Sequence, residues 1–220
     1  LGFDRPPYPL MEFIGGKKGL KQKIGPKLPT GESGAQTTLL GRGGIHVADI
    51  PSEHVLKRDS IALVSIGKIL QSLEGCACPM GVLSREFLNK LDLKDNEVAI
   101  VDMEAGVEHF GRGVQTSVDS VLITVEPSFE SLELAERMNK LATGIGVGNI
   151  WAILNKTTSG KLASRLEAEL SRSNIRVAGS IRYDAQIFQA CLEGRAIRSS
   201  KATKDLGNLL DILLKDERLT

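Results

Sequence analysis

The stretch of this sequence richest in groups able to do chemistry is VAIVDMEAGVEHFGRGV, positions 98–114. An apolar run ends at Asp102, and Glu104, Gly106, Glu108, His109 and Arg112 follow closely. A carboxylate at the end of a buried strand, just before a glycine turn, is the arrangement that holds Mg2+, directly or through water. A helix cap or a turn aspartate would use the same residue with no metal. His109 reads as a metal ligand or switch residue, or as a partly exposed histidine at a helix start. Arg112 reads as a phosphate contact, or as the partner of Glu108 one helical turn earlier.

Cys76 and Cys78 form a second candidate site, in EGCACPMG. They sit between glycines and before a proline, outside any apolar stripe. A C-x-C pair supplies half of a tetrahedral site, and two copies across a two-fold axis would complete four sulfur ligands. Thiolates favour Zn2+, Cu(I) or Fe–S, and square-planar Ni2+ is also compatible. The plainer alternative is two free thiols in a loop. Cys191, alone on the apolar face of a helix, reads as core.

A third candidate is NKTT, 155–158, again at a strand end. Asn155 and Lys156 there suit a purine edge and its ribose side; an ordinary strand-to-helix turn is the alternative. His46 and His54 show no ligand spacing with each other. Lys17, Lys18, Lys21 and Lys23 form a basic run of the kind that is usually a solvated face. The sequence contains no Ser/His/Asp arrangement, no H-E-x-x-H and no G-x-G-x-x-G. The glycine runs GESGAQTT (31–38) and GRGG (41–44) do not satisfy G-x-x-x-x-G-K-[ST].

The elements that must position these groups follow from hydrophobic periodicity. IALVSIG (61–67), EVAIVDME (97–104), SVLITVEP (120–127), NIWAILNKT (149–157) and IRVAGSIRYD (175–184) read as strands. The continuous run at 97–104 predicts a strand buried on both faces. Helices are expected after the cysteine turn to residue 91 (with Val82, Phe87, Leu88 and Leu91 on one face), over 128–146, over 159–173, and near 185–193 and 203–215. Ser128 or Ser131 is placed to cap the second of these. Alternating strands and helices predict an α/β fold with a parallel sheet flanked by helices. In such sheets ligands bind beyond the carboxyl ends of the strands. Residues 1–60 are turn-rich and read as an irregular, lid-like segment, with a short helix near Leu10–Gly15 followed by a basic, glycine-rich loop. The 220 residues are enough for a single α/β domain.

Totals exclude several classes. The formal net charge is +1, from Lys+Arg 28 and Asp+Glu 27, so no basic excess points to nucleic acid. Aromatics are 4%, too few for base-stacking platforms. No apolar run reaches the roughly 18 residues of a membrane span, and no secretory signal is visible. Three cysteines suggest a reducing, cytoplasmic setting rather than a disulfide scaffold.

DMEAGVEHFGRG, VEPSFESLELAERMNKLA and AILNK, with the upstream C-x-C-P, together resemble the CooC-type accessory ATPases of carbon monoxide dehydrogenase maturation. These belong to the MinD-like (SIMIBI) class of P-loop NTPases with a deviant Walker A. The resemblance runs from about residue 61 to 185. It implies ATP/ADP and Mg2+ as cofactors, with Asp102 as the Walker-B carboxylate and Gly106, Glu108 and His109 in switch II. It implies that Asn155 reads the base beside Lys156, and that the stretch at Arg182 and Asp184 lines it, although members carry a proline near the Arg182 position. It implies a homodimer that binds Ni2+ or Zn2+ through Cys76 and Cys78 of both protomers, with carbon monoxide dehydrogenase as client. The family opens with a strand and a glycine-rich Walker-A loop bearing two lysines, then a strand ending in the switch I aspartate. None of these is in the 220 residues, and Leu1-Gly2-Phe3 looks like the segment just after that switch. The expectation is a member lacking its amino-terminal portion and first strand or strands, binding ATP poorly and hydrolysing it negligibly. Two other readings remain: a MinD-like partitioning or positioning ATPase, and a non-hydrolytic metal-binding scaffold. The mixed charge of DLGNLLDILLKDERLT argues against the membrane helix that partitioning proteins often carry.

Overall fold

The structure is a computed structural model, and it describes residues 3–24, 40–41, 43–67, 78–103, 118–197 and 200–215. The chain divides into two compact units, one built on residues up to 103 and one on residues from 118 onward.

The first unit contains α1 (Leu10–Phe13), α2 (Gly16–Ile24), a 3-10 turn (Val47–Asp49), β1 (Val55–Arg58), β2 (Ile61–Val64) and α3 (Cys78–Lys90). β1 and β2 form an antiparallel hairpin, Arg58 facing Ile61 across the two-residue turn. Asp59 in that turn has φ 52, the left-handed value such short turns require. The amides of Leu10 and Met11 donate to the Ser65 and Ile66 carbonyls at 2.7 and 2.9 Å, which ties α1 to the end of the hairpin. Leu10, Ile50, Val55 and Phe87 make one apolar cluster; Met11, Ile14 and Leu83 make another. Val82, Leu88 and Leu91 pack against these clusters, as the periodicity of this helix predicts.

Three expectations change here. The basic segment after Gly15 is helix α2, not a loop, and the segment read as irregular also carries β1. Residues 97–103 form no strand, and Val98 and Ile100 are 76% and 90% exposed. An extended segment becomes a strand only when a neighbour satisfies its amides and carbonyls. None of the described strands pairs with 97–103.

The second unit is the predicted α/β layer: β3 (Ser120–Val125), α4 (Phe129–Gly144), β4 (Asn149–Thr157), α5 (Gly160–Arg172), β5 (Arg176–Arg182), α6 (Ala185–Leu192) and α7 (Lys201–Lys215). The sheet is parallel, in the order β3-β4-β5. One face buries Ile123, Val125, Ile150, Ala152 and Leu154 against a layer that includes Ala135 and Ala142 of α4 and Leu166 and Leu170 of α5. On the other face Trp151 and Ala178 pack on Leu209 and Leu213 of α7. β4 is thus covered on both sides, which is why it reads as an unbroken apolar run. Ser128 and Ser159 cap α4 and α5, their hydroxyls accepting from the amides of Ser131 and Leu162. Cys191 is exposed, against expectation. In α6 only Ala190 is buried, and Phe188 and Leu192 are open at 57% and 71%, so the apolar stripe of this helix is not a core face.

Candidate functional site

The carboxyl ends of β3, β4 and β5 bring together Glu126, Asn155, Lys156, Arg182 and Asp184. Each follows from a strand whose apolar run stops at a polar residue, so the sheet delivers all of them to one edge. Lys156 Nζ lies 2.6 Å from Glu126 Oε1, with both side chains about half exposed. Asn155 is half-buried, and among the described residues nothing hydrogen-bonds its carboxamide. The strand ends are locked together by buried Thr157, whose hydroxyl donates to the Ile181 carbonyl at 3.2 Å and whose carbonyl accepts from Tyr183 N–H at 2.9 Å.

Arg182 and Asp184 are engaged within the fold. The Arg182 guanidinium pairs with Asp205 of α7 through Nε at 2.9 Å and Nη2 at 2.8 Å, and its amide also donates to that carboxylate. Asp205 draws the guanidinium pKa upward by hydrogen bonding and then by charge. Asp184 caps α6, accepting from Gln186 N–H at 2.9 Å. Burial pushes its pKa up, but hydrogen bonds from the Gln186 amide, the Ser200 hydroxyl and the amides of Ala202 and Ile187 together hold it below the ordinary carboxylate range. These two residues fasten the starts of α6 and α7 to the sheet edge.

In the first unit, Asp102 is exposed in a segment without regular secondary structure, an accessible hard-oxygen donor. Cys78 is the first residue of α3. Cys76, Glu104, Gly106, Glu108, His109 and Arg112 lie outside the described residues. Among the described residues no group of three or more His, Cys, Asp or Glu side chains is placed to hold a metal ion. His54 is buried, its Nδ1 3.0 Å from the Tyr8 carbonyl, and His46 caps the 3-10 turn while its Nε2 faces Glu97 at 3.3 Å. Both histidines serve the fold. The sequence reading missed Glu126 and Asp205. Glu126 carried the same signal as Asn155, a polar residue directly after an apolar strand; Asp205 carried none.

The fold and its polar edge define a parallel α/β protein built to present side chains beyond its strand ends. No protein-family model matches the chain. It is 41% identical over 215 residues to an uncharacterized ATP-binding protein of Methanocaldococcus jannaschii, covering 98% of this chain and 82% of that one. A second uncharacterized ATP-binding protein of the same organism is 36% identical, over 79% of this chain and 68% of its own length. The chain belongs to the family of these proteins. The carbon monoxide dehydrogenase accessory protein CooC of Rhodospirillum rubrum is 36% identical over 66% of this chain, which spans 54% of the CooC length. Among solved structures, the MinC:MinD cell division complex of Aquifex aeolicus matches 46% of this chain and 45% of its own with TM-score 0.40 and 18% identity. No helix of the described residues is long and apolar enough to cross a membrane.

Proposed function

We propose that this protein is an ATP-dependent accessory protein that delivers nickel to carbon monoxide dehydrogenase. The observation that carries the reading is the Cys76-Ala77-Cys78-Pro79 sequence in a chain that is 36% identical to CooC over 66% of its length. Its relatives named as ATP-binding proteins support the nucleotide half of the proposal.

The residues at the edge fit such a nucleotide. A half-buried carboxamide with no described partner offers a donor and an acceptor side by side, which suits the edge of a base. Asn155 would therefore read the base, with Lys156 beside it, while Arg182 and Asp184 hold the surrounding helices. Asp102 fits Mg2+ as an exposed carboxylate. Bound nucleotide supplies the free energy of phosphoryl transfer to the cycle. Gly106, Glu108 and His109, in the segment after Asp102, would pass the state of the site on to the rest of the chain. Two protomers closing on each other would bring two C-x-C pairs together as four thiolate ligands for Ni2+, or for Zn2+. Metal and nucleotide that both favour the closed pair strengthen each other's binding.

The test is metal content in the full-length native protein. Wild type is expected to hold one nickel or zinc ion per two protomers, and Cys76→Ser with Cys78→Ser none. Undiminished metal binding in the double variant would sink the assignment. Asp102→Asn is expected to abolish Mg2+-dependent ATP hydrolysis while leaving metal bound to the cysteines.

A further inference from the structure

Three non-glycine residues have positive φ among the described residues: Asp59, Lys156 and Asn174. Asp59 lies in the tight turn between β1 and β2, and Asn174 follows the last turn of α5. Aspartate and asparagine tolerate this conformation, and both positions call for it. Lys156, at φ 55, has neither excuse. A lysine held there stores backbone strain, and such strain collects where a chain must aim a side chain.

The strand register shows what the strain builds. Leu154 pairs with Ser180 and Thr157 with Arg182, so Asn155 and Lys156 stand opposite Ile181 alone. This is a bulge at the carboxyl end of the central strand, a device that redirects side chains at sheet rims. Its one side-chain tie to a described residue outside the strand is the contact from Lys156 Nζ to Glu126 Oε1 at 2.6 Å. Glu126 is itself firmly mounted. Its amide donates to the Ser131 hydroxyl at 2.9 Å, its carbonyl accepts from Ser128 N–H at 2.7 Å, and Ser128 caps α4. The cap of α4 is therefore coupled through one carboxylate to the bulge that carries Asn155.

We propose that Glu126 is a positioning residue for base recognition: its carboxylate holds the Lys156 ammonium and keeps the strained bulge set, so that the Asn155 carboxamide meets a nucleotide base. This rests on reading the edge as a nucleotide site. Glu126 touches no ligand in this scheme and acts through Lys156. An exposed ion pair contributes little to global stability, so its effect falls on the placement of the bulge.

The experiment compares ADP with Mg2+ against inorganic tripolyphosphate, which has no base, by calorimetry on the full-length native protein. Glu126→Gln is expected to weaken ADP about two- to fivefold, the worth of one exposed ion pair, and to leave tripolyphosphate affinity unchanged. Glu126→Asp, which keeps the charge on a shorter arm, is expected to fall between. Lys156→Gly relieves the strained φ, so it is expected to melt no lower than wild type and still bind ADP more weakly. Three results would overturn the role of Glu126: unchanged ADP affinity in Glu126→Gln, equal losses for both ligands, or full ADP affinity in Lys156→Gly. Failure of wild type to bind ADP at all would instead remove the nucleotide reading of the edge, and the role of Glu126 with it.

Discussion

Arg182, the last residue of β5, and Asp205, in the second turn of α7, are joined by three hydrogen bonds, two from the guanidinium and one from the Arg182 amide. The Asp205 side chain is 12% exposed, whereas that of Arg182 is 55% exposed. The pair is a clasp across 23 residues of sequence that seats α7 on the sheet. It also takes Arg182 out of contention as a free cation at the strand ends.

The clasp makes the stability of this unit acid-sensitive. Hydrogen bonding from Arg182 is the largest influence on Asp205 and holds its pKa below the ordinary carboxylate value, against a burial penalty. A depressed folded-state pKa means the stabilisation is fully present above the unfolded value, about pH 4, and is lost as pH falls through the folded value. Asp205→Asn is therefore expected to be less stable than wild type at neutral pH and to lose less on acidification. Asp184 is depressed too, so some acid sensitivity persists. Urea unfolding repeated from neutral pH down to about pH 3 reads this directly. Parallel curves for the two proteins would show that the clasp contributes nothing to the acid sensitivity.

Trp151, the only tryptophan, offers an optical handle on the same layer. The Arg176 guanidinium carbon lies 4.0 Å from the centre of its ring, and the tryptophan is 9% exposed. A desolvated stack of this kind contributes about 1–2 kcal/mol. Arg176→Met is expected to destabilise by about that amount and to shift the Trp151 emission. Arg176→Lys keeps the charge but loses the planar stack, and is expected to restore only part of it. An unchanged emission spectrum in Arg176→Met would mean the contact does not persist in solution.

How much of this could be read in advance depended on whether the signal was local. β4 was legible to the residue, because Asn149–Thr157 is an apolar run closed by polar residues and buried on both faces. The capping of α4 was legible because a serine hydroxyl near a helix start has few other uses. Asn155 and Lys156 were legible as site candidates for the same reason as the strand end itself. The bulge was not, because it exists only in the register of β4 against β5. Nor was the Arg182–Asp205 clasp, where neither residue announces the other. The hairpin was half seen: Ile61–Val64 reads as a strand, but Val55–Arg58 carries two basic residues that mask its alternation. Residues 97–103 show the converse, since strong apolar character specifies a strand only where a neighbouring strand takes it up.

A close steric constraint lies where α7 crosses β5. Gly179 has φ 154, and a Cβ built there would lie 2.8 Å from Leu209 Cδ2. The register skips Ala178 at this point, pairing Val177 with Ala152 and Gly179 with Ile153, so glycine serves both a bulge and a close helix approach. Gly179→Ala must push Leu209, which is 3% exposed, out of its seat among Trp151, Ala178 and Leu213. Overpacking of this kind costs about 1–3 kcal/mol, and an unfavourable φ adds to it. Leu209→Ala alone leaves a cavity and costs about 2–5 kcal/mol. Combined, the alanine at 179 gains room that the shortened side chain vacates, so the double variant is expected to lose less than the sum of the two single losses. Denaturant unfolding of the four proteins of this cycle measures the difference. Strict additivity would mean that the backbone conformation of Gly179, rather than its contact with Leu209, is what the position requires.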